Sequence, residues 1–446
     1  MIPIIEVPGS LAAGMEKYRG IFCREEGYEH VSRYVTGLIT SQNKTLQGIY
    51  DQQVWKGKKP SRRAMHEGVF ESGWDVGELM RDHRGEVSPD HRGQGREVIS
   101  LDWTFSHHER GSKIYAVKKC YDYVEKRLSQ YQTVMTAVIS NRSYIDGLEV
   151  VVQEPNYEEE EIGYLNSTVK ESYEQMEAVR ERFLELLSYL RNRLKYKKRT
   201  ELAVEMVKEL EAEGKFPGAN YAFDNGVLTV ELTTYIESCG KHWVSELEKS
   251  RKIQWKGQWL SVGEVAKTLK EQHQESFRPI RVRCRNGELK TYYAFTKVVR
   301  LKKYGKKRLV IFHENEDLSD DPHLVLTDAK HWESKRVIQT WNYRWSSEIF
   351  HQFAKQLTGF EAAQLRNEEA VKRHFSLSCV AQSLIQRVAA PESKSERFEF
   401  AEGKTTCGQK IRVIVREIFL SLLHHIEHLF NQGKSPDQVL EVLMPV

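Results

Sequence analysis

Glu97-Val-Ile-Ser-Leu-Asp-Trp-Thr104 is the stretch from which the rest of the chain can be read. Its apolar and β-branched residues describe a buried strand, and Asp102 is expected near its end, where a carboxylate can face a cleft instead of the core. Working outward, Lys113-Ile-Tyr-Ala-Val117 and Thr133-Val-Met-Thr-Ala-Val-Ile139 are expected as two further strands. Residues 158–212 turn helical: Phe183, Leu184, Leu186, Leu187, Leu190 and Leu194 recur at helical intervals, and Glu201–Leu210 repeats the pattern. A short strand, Asn220-Tyr-Ala-Phe223, runs into Asp224 and is followed by a helix from near Leu228.

Residues 251–326 mix a helix around Glu264–Gln272 with strands such as Thr291–Val299 and Arg308–Phe312, and one long helix is expected over Ser334–Leu357. Strands, a helix, a strand ending in an acid, a helix, an insertion and a helix carrying an acid form the order of a ribonuclease-H-like fold. The expected protein is α/β, with an N-terminal helical DNA-binding domain at 1–95 and the first part of the core at 96–250, including a helical stretch at 158–196. A basic, strand-rich insertion follows at 251–326, the rest of the core at 327–390, and a helical C-terminal region at 391–446. Pro89 with Gly93 and Gly95 marks the first boundary. Gly433 ends one C-terminal helix before Ser435-Pro436 opens a short last one.

With 446 residues, 40% hydrophobic and 29% charged, the composition is that of a globular protein with a highly charged surface. No apolar run approaches the roughly 20 residues of a membrane span, and the first residues lack the pattern of a secretory signal. A cytoplasmic, nucleoid-associated location is therefore expected. The six cysteines are scattered without a CxxC pair, which argues against a disulfide framework or zinc ribbon. The net charge of +4 is modest, but its distribution is not. Between 278 and 308, Arg281, Arg283, Lys302, Lys303, Lys306 and Lys307 stand among further cations, against the single acid Glu288. Arg191–Arg199 is equally one-sided. Such runs suit a polyanion through counterion release, although a solvated face has the same composition. Tyr292, Tyr293 and Tyr304 add aromatic surface for sugars or bases.

Two-metal phosphoryl transfer needs acids from separate elements to converge on one spot. Asp102 and Asp224 at strand ends fit, though an acid there can equally cap the next element. On the helix over 334–357, Trp341, Arg344, Glu348 and Lys355 share one stripe at 100° per residue. Trp345, Ile349, Phe353 and Leu357 form an apolar stripe expected to dock on the sheet. Arg344 and Glu348 also have the spacing of a plain i,i+4 surface pair. His424 and His428 share a helix face, but His425 stands where a zinc protease has Glu, so packing is the simpler reading. His107-His108 is expected in a solvated loop. Gly-rich phosphate loops are absent.

Arg344, three residues, Glu348, six residues and Lys355 resemble the YREK signature of cut-and-paste insertion-sequence transposases of the DDE superfamily. Trp74-Asp75, Leu101-Asp102 followed by Gly111, Phe223-Asp224, Leu324–Asp328 leading into Tyr343-Arg344-Trp345, Gln364–Arg366 and Lys372–His374 resemble other segments of that family, in the same order. The resemblance implies that Asp102, Asp224 and Glu348 hold two Mg²⁺ ions, with Mn²⁺ as a substitute. It implies cleavage of transposon ends in double-stranded DNA and joining of the freed 3′-hydroxyl to a target. Arg344, Lys355, Trp341 and Tyr343 would contact DNA, and the 278–308 cations would grip the end or its flank. A homodimer on paired ends, and an accessory targeting protein, are the implied partners. Two departures stand out: the signature tyrosine falls on Trp341, with Tyr343 two positions later, and the 158–196 stretch is long for the family. A catalytically silent DNA-binding protein of the same fold and a nuclease without strand transfer are the rival expectations.

Overall fold

The carboxylates are positioned by a strand, β1 (Val98–His107), whose two faces meet different layers. In the computed structural model, residues 2–93, 95–109, 111, 113–122, 126–154, 196–390 and 405–444 are described. The expected helix at 158–196 and most of the Arg191–Arg199 run lie outside them. β1 pairs antiparallel with β3 (Arg127–Ser140) from Val98↔Ser140 to His107↔Tyr131, and parallel with β5 (Asn220–Phe223). Because the ladder with β3 continues to His107, Asp102 sits in mid-strand, not near the end. His107 closes the strand instead of starting a loop.

One sheet contains all the strands of the described residues. Its order is β4 (Ile145–Gln153), β3, β1, β5, β6 (Trp243–Glu246), β12 (His323–Thr327), β11 (Gly305–His313), β10 (Leu289–Leu301), β7 (Lys252–Trp255) and β8 (Gln258–Ser261). β2 (Lys118–Asp122) and β9 (Arg278–Arg283) pair with parts of β3 and β10. β1, β5 and β6 are mutually parallel, and their neighbours are antiparallel. β7 to β12 thus extend the sheet instead of forming a separate one.

Two strand expectations change. Lys113–Val117 is not a strand, since Ala116 takes a φ of +57° and pairing starts only at Lys118. β4 has no counterpart among the expected strands: Asp146, Gly147 and Glu149 break its apolar pattern, yet it is buried along much of its length.

On one face, α6 (Arg199–Glu213), α7 (Val230–Ser238) and α8 (Val262–Gln272) pack on Ile99, Leu101, Tyr221, Phe223, Trp243, Leu309 and Leu326. The other face meets α9 (Ser334–Tyr343), α10 (Ser346–Leu357) and the buried helix α11 (Glu368–Arg387). The N-terminal helices, including α2 (Glu25–Thr40) and α5 (Val76–His91), close over α11. Their seam is polar as well as apolar: Tyr34 Oη meets His374 Nδ1 at 2.9 Å, and Arg373 donates to the Ser72 carbonyl at 2.9 Å. Pro89 lies inside α5, in its last turns, so the helix ends at His91 and not at the proline. The C-terminal helices are α12 (Cys407–Asn431) and α13 (Pro436–Leu443). Among the described residues no helix is long and apolar enough to cross a membrane.

The expected single helix over 334–357 is two. Arg344 N–H donates to the Trp341 carbonyl and Ser347 N–H to the Arg344 carbonyl, i→i−3 bonds that tighten the turn between α9 and α10. That tightening rotates α10, so its buried face is Ser346, Ser347, Phe350, His351 and Ala354. The stripe expected to dock does so only in part: Trp345 is 56% exposed, Phe353 is half-buried, and Ile349 and Leu357 are half-buried against the core.

Candidate active site

α10 approaches the sheet closely because the residues beneath it are small. The Phe350 ring lies where a Cβ on Gly147 of β4 would come within 2.6 Å of it. Ser347 Oγ donates to Ser100 Oγ of β1 at 2.6 Å, and His351 Nε2 meets Thr136 Oγ1 of β3 at 2.8 Å. Burial pushes His351 down to about 3, so the ring is neutral in this contact. These contacts hold Glu348, one residue past Ser347, over the same face as Asp102.

Leu101 pairs with Phe223 across the β1–β5 ladder, so Asp102 and Asp224 are the next residues on adjacent parallel strands. Such neighbours lie about 4.8 Å apart and point to one face. β1 runs on to His107 while β5 stops, which leaves that face open beyond the two acids. Asp224 caps its own turn by accepting from Gly226 N–H at 2.9 Å.

Arg344 ties the helix to the strand. Its guanidinium stands 3.0 Å from Glu348 Oε1 and 3.7 Å from Asp102 Oδ2, and it lies 4.9 Å from the Trp341 ring centre. Even so, the Asp102 carboxyl is pushed up to about 7. Burial is the main cause and the Asp224 charge the next; Glu348 adds to it, and Arg344 and the Trp103 N–H at 2.8 Å offset only part. Asp102 therefore senses both other acids from a buried position. Among the described residues no group of three or more His, Cys, Asp or Glu is arranged as a finished metal site. Arg344 takes up the space between Asp102 and Glu348 that a shared cation would need.

The remaining expected site residues divide. Lys355 lies on the same side of α10 but is engaged, donating to the Phe105 carbonyl at 2.5 Å and pairing with Glu361 at 3.0 Å. Trp341 is largely buried among Val244, Val325 and Phe312 but borders the cleft beside Arg344, whereas Tyr343 is buried between Val98 and Ala222. Arg281 and Arg283 are exposed on β9, near the end of β10 toward which the carboxylates face. Lys302, Lys303 and Lys306 cluster at the β10–β11 turn, roughly ten residues and on the order of 30 Å away along β10. Lys307 is buried against Glu237 at 2.6 Å.

A cleft of about 580 Å³ opens beside Arg344, lined among others by Glu246, Arg285, Lys290, Tyr292 and Trp345. Glu246 is absent from the residues that the sequence singles out. Phe223 pairs with Ser245, so Glu246 follows on β6 beside Asp224 at the same level. A signal for it exists: Trp243-Val-Ser-Glu246 ends in an acid as Asn220-Tyr-Ala-Phe-Asp224 does. No protein-family model matches the chain, and no curated protein matches it either.

Proposed function

We propose that the protein is a DNA transposase of the DDE type, built on a ribonuclease-H-like core, that cuts transposon ends and joins the 3′-hydroxyl to target DNA. The observation that carries this reading is the convergence of Asp102 and Asp224, on adjacent parallel strands, with Glu348 on a helix over the same face. The strand order β4-β3-β1-β5-β6, with β1, β5 and β6 parallel, supports the ribonuclease-H-like core.

The donor set fits a hard cation. It offers only carboxylate oxygens, which Mg²⁺ prefers, and a cation there would offset the burial and the neighbouring acids that raise the Asp102 carboxyl. Asp102, Asp224 and Glu348 would hold Mg²⁺, or Mn²⁺ in its place; a bound pair of ions supplies Lewis-acid stabilisation of the attacking and leaving oxygens. For this, Arg344 must give up its hold on Asp102 and is then free to face a phosphate. Ser347–Ser100 and His351–Thr136 keep Glu348 in place while it does so. Arg285 and Lys290 in the cleft offer further cations to the backbone of a strand lying across the acids.

The test uses purified full-length protein, Mg²⁺ and DNA bearing the terminal repeats that flank its gene, comparing wild type with Glu348→Ala. Mg²⁺-dependent cuts at the repeat ends that disappear in the variant are expected. Cuts without joining of pre-cut ends would make it a nuclease, and specific binding without cuts a silent DNA-binding protein.

A further inference from the structure

At the end of the sheet opposite Asp224, two histidines stand side by side. His242 immediately precedes β6, and His331 lies in the turn between β12 and α9. The β12–β6 ladder brings these segments together by pairing Thr327 with Val244. Asp328, the residue after that pair, is nearly buried. One of its oxygens accepts from the Trp243 N–H at 2.9 Å, and the other lies 2.6 Å from His242 Nδ1. A carboxylate so placed keeps the ring proton on Nδ1 and leaves the Nε2 lone pair directed away from it. Among the described residues Nε2 has no hydrogen-bond partner, and the His242 side chain is 32% exposed. His331 is exposed and likewise makes no hydrogen bond or ion pair among the described residues. The two ring centres are 5.2 Å apart, with their planes inclined at 61°. Two imidazoles on one tetrahedral ion, each nitrogen about 2.0–2.1 Å from the metal, hold their ring centres roughly 5.2 Å apart.

We propose that His242 Nε2 and a ring nitrogen of His331 form a two-imidazole site for a transition ion such as Zn²⁺, with Asp328 orienting His242 from behind. Imidazole nitrogen suits Zn²⁺, Ni²⁺ or Cu²⁺, whereas Mg²⁺ prefers oxygen, so this end of the sheet selects a different ion from the carboxylate end. Among the described residues no third His, Cys, Asp or Glu completes a metal group. Water therefore fills the remaining positions, and the affinity is micromolar, far below that of a closed structural zinc centre. A bound ion would tie the start of β6 to the turn that leads into α9. The inference uses no part of the catalytic reading and stands or falls apart from it.

Titration of the purified full chain with Zn²⁺ against a chromophoric chelator tests it, with Mg²⁺ in large excess to compete for carboxylates. The wild type is expected to take up one equivalent with micromolar affinity, and zinc-edge X-ray absorption should count two imidazoles and no sulfur. His331→Ala should weaken the uptake at least about tenfold and lower the count to one. Asp328→Asn should weaken it about 10–100-fold, because an amide N–H facing Nδ1 draws the ring proton to Nε2, where the ion must sit. His428→Ala, which breaks the helical pair His424 and His428 on α12, should change nothing. Since His331 is exposed, an unchanged melting temperature of zinc-free His331→Ala is expected to show that the fold is kept. A wild type that takes up no Zn²⁺ at several hundred micromolar would overturn the proposal. Sulfur ligation, a two-imidazole signal that survives His331→Ala, or full affinity in Asp328→Asn would overturn it equally, as would uptake lost in His428→Ala.

Discussion

Asp102 and Asp146 are buried carboxylates of the same sheet, and the chain treats them in opposite ways. Asp146, at the start of β4, is fully enclosed and fully served. His91 Nε2 lies 2.8 Å away, and Arg387 reaches both oxygens at 2.9 and 3.1 Å. These partners hold its carboxyl well below the usual range despite the cost of burial. Asp102, nearly as buried, has the Trp103 N–H and the Arg344 guanidinium at 3.7 Å, with two further acids facing it, and its carboxyl is pushed up to about 7. Where a carboxylate serves the fold, two elements (α5 with His91 and α11 with Arg387) converge on it to neutralise it. Around Asp102 no such set is assembled among the described residues, and perturbed groups of this kind gather at functional sites.

The difference is sharpest in what each site loses on mutation. Asp224→Ala removes one of the charges crowding Asp102. Cleavage of terminal-repeat DNA should fall at least about 1000-fold, equivalent to roughly 4 kcal/mol or more, with DNA binding and the urea midpoint essentially unchanged. Wild-type cleavage rates in that variant would remove Asp224 from the site. Asp146→Ala should do the reverse, leaving Arg387 and His91 buried without a counter-charge and costing about 3–5 kcal/mol in urea unfolding. A loss below about 1 kcal/mol would mean that the two acids do not differ in this way.

Acid and base should separate them too. In metal-free protein, the raised folded carboxyl of Asp102 binds a proton that the unfolded chain has released. Its contribution to stability is therefore present below about pH 4 and is lost as pH rises through about 7. Asp146, depressed in the folded state, contributes stability above about pH 4 and loses it as pH falls below that. Asp102→Asn should then be more stable than wild type at pH 8, by on the order of 1–3 kcal/mol, and should match it near pH 4. Equal stability of variant and wild type at both ends of that range would show that Asp102 is not strained by its neighbours.

Some of this contrast is legible in the sequence. Asn220–Phe223 is a short apolar run ending in an acid, and it forms β5 with the bounds that the pattern predicts. β4 is not legible, because Asp146 and Gly147 look like turn residues until Arg387 and His91, distant in sequence, supply the first with partners and Phe350 supplies the second with a reason to lack a side chain. The break between α9 and α10 leaves no trace either, since Arg344 and Trp345 are ordinary helix residues and only packing shifts the face that α10 buries. The basic run at 278–308 reads as one grip. The β10–β11 hairpin separates its cations to opposite ends of the sheet and consumes Lys307 in a buried pair. Short-range pattern finds strands that end in acids; it does not report which charges the fold has already neutralised.

The mildest test uses the cation itself. If Asp102, Asp224 and Glu348 lack only positive charge, Mg²⁺ should bind the folded state in preference to the unfolded one. A few millimolar should then raise the melting temperature by about 1–4 °C, a linkage of roughly 1 kcal/mol for a weak site. Because the ion must displace the Asp102 proton, the gain should be larger at pH 8 than at pH 6. Asp224→Ala should abolish the gain, whereas Asp146→Ala, though much less stable, should keep it. A gain that is the same in wild type and Asp224→Ala would mean that the ion acts elsewhere on the charged surface, and that the crowding of the three acids reflects strain alone.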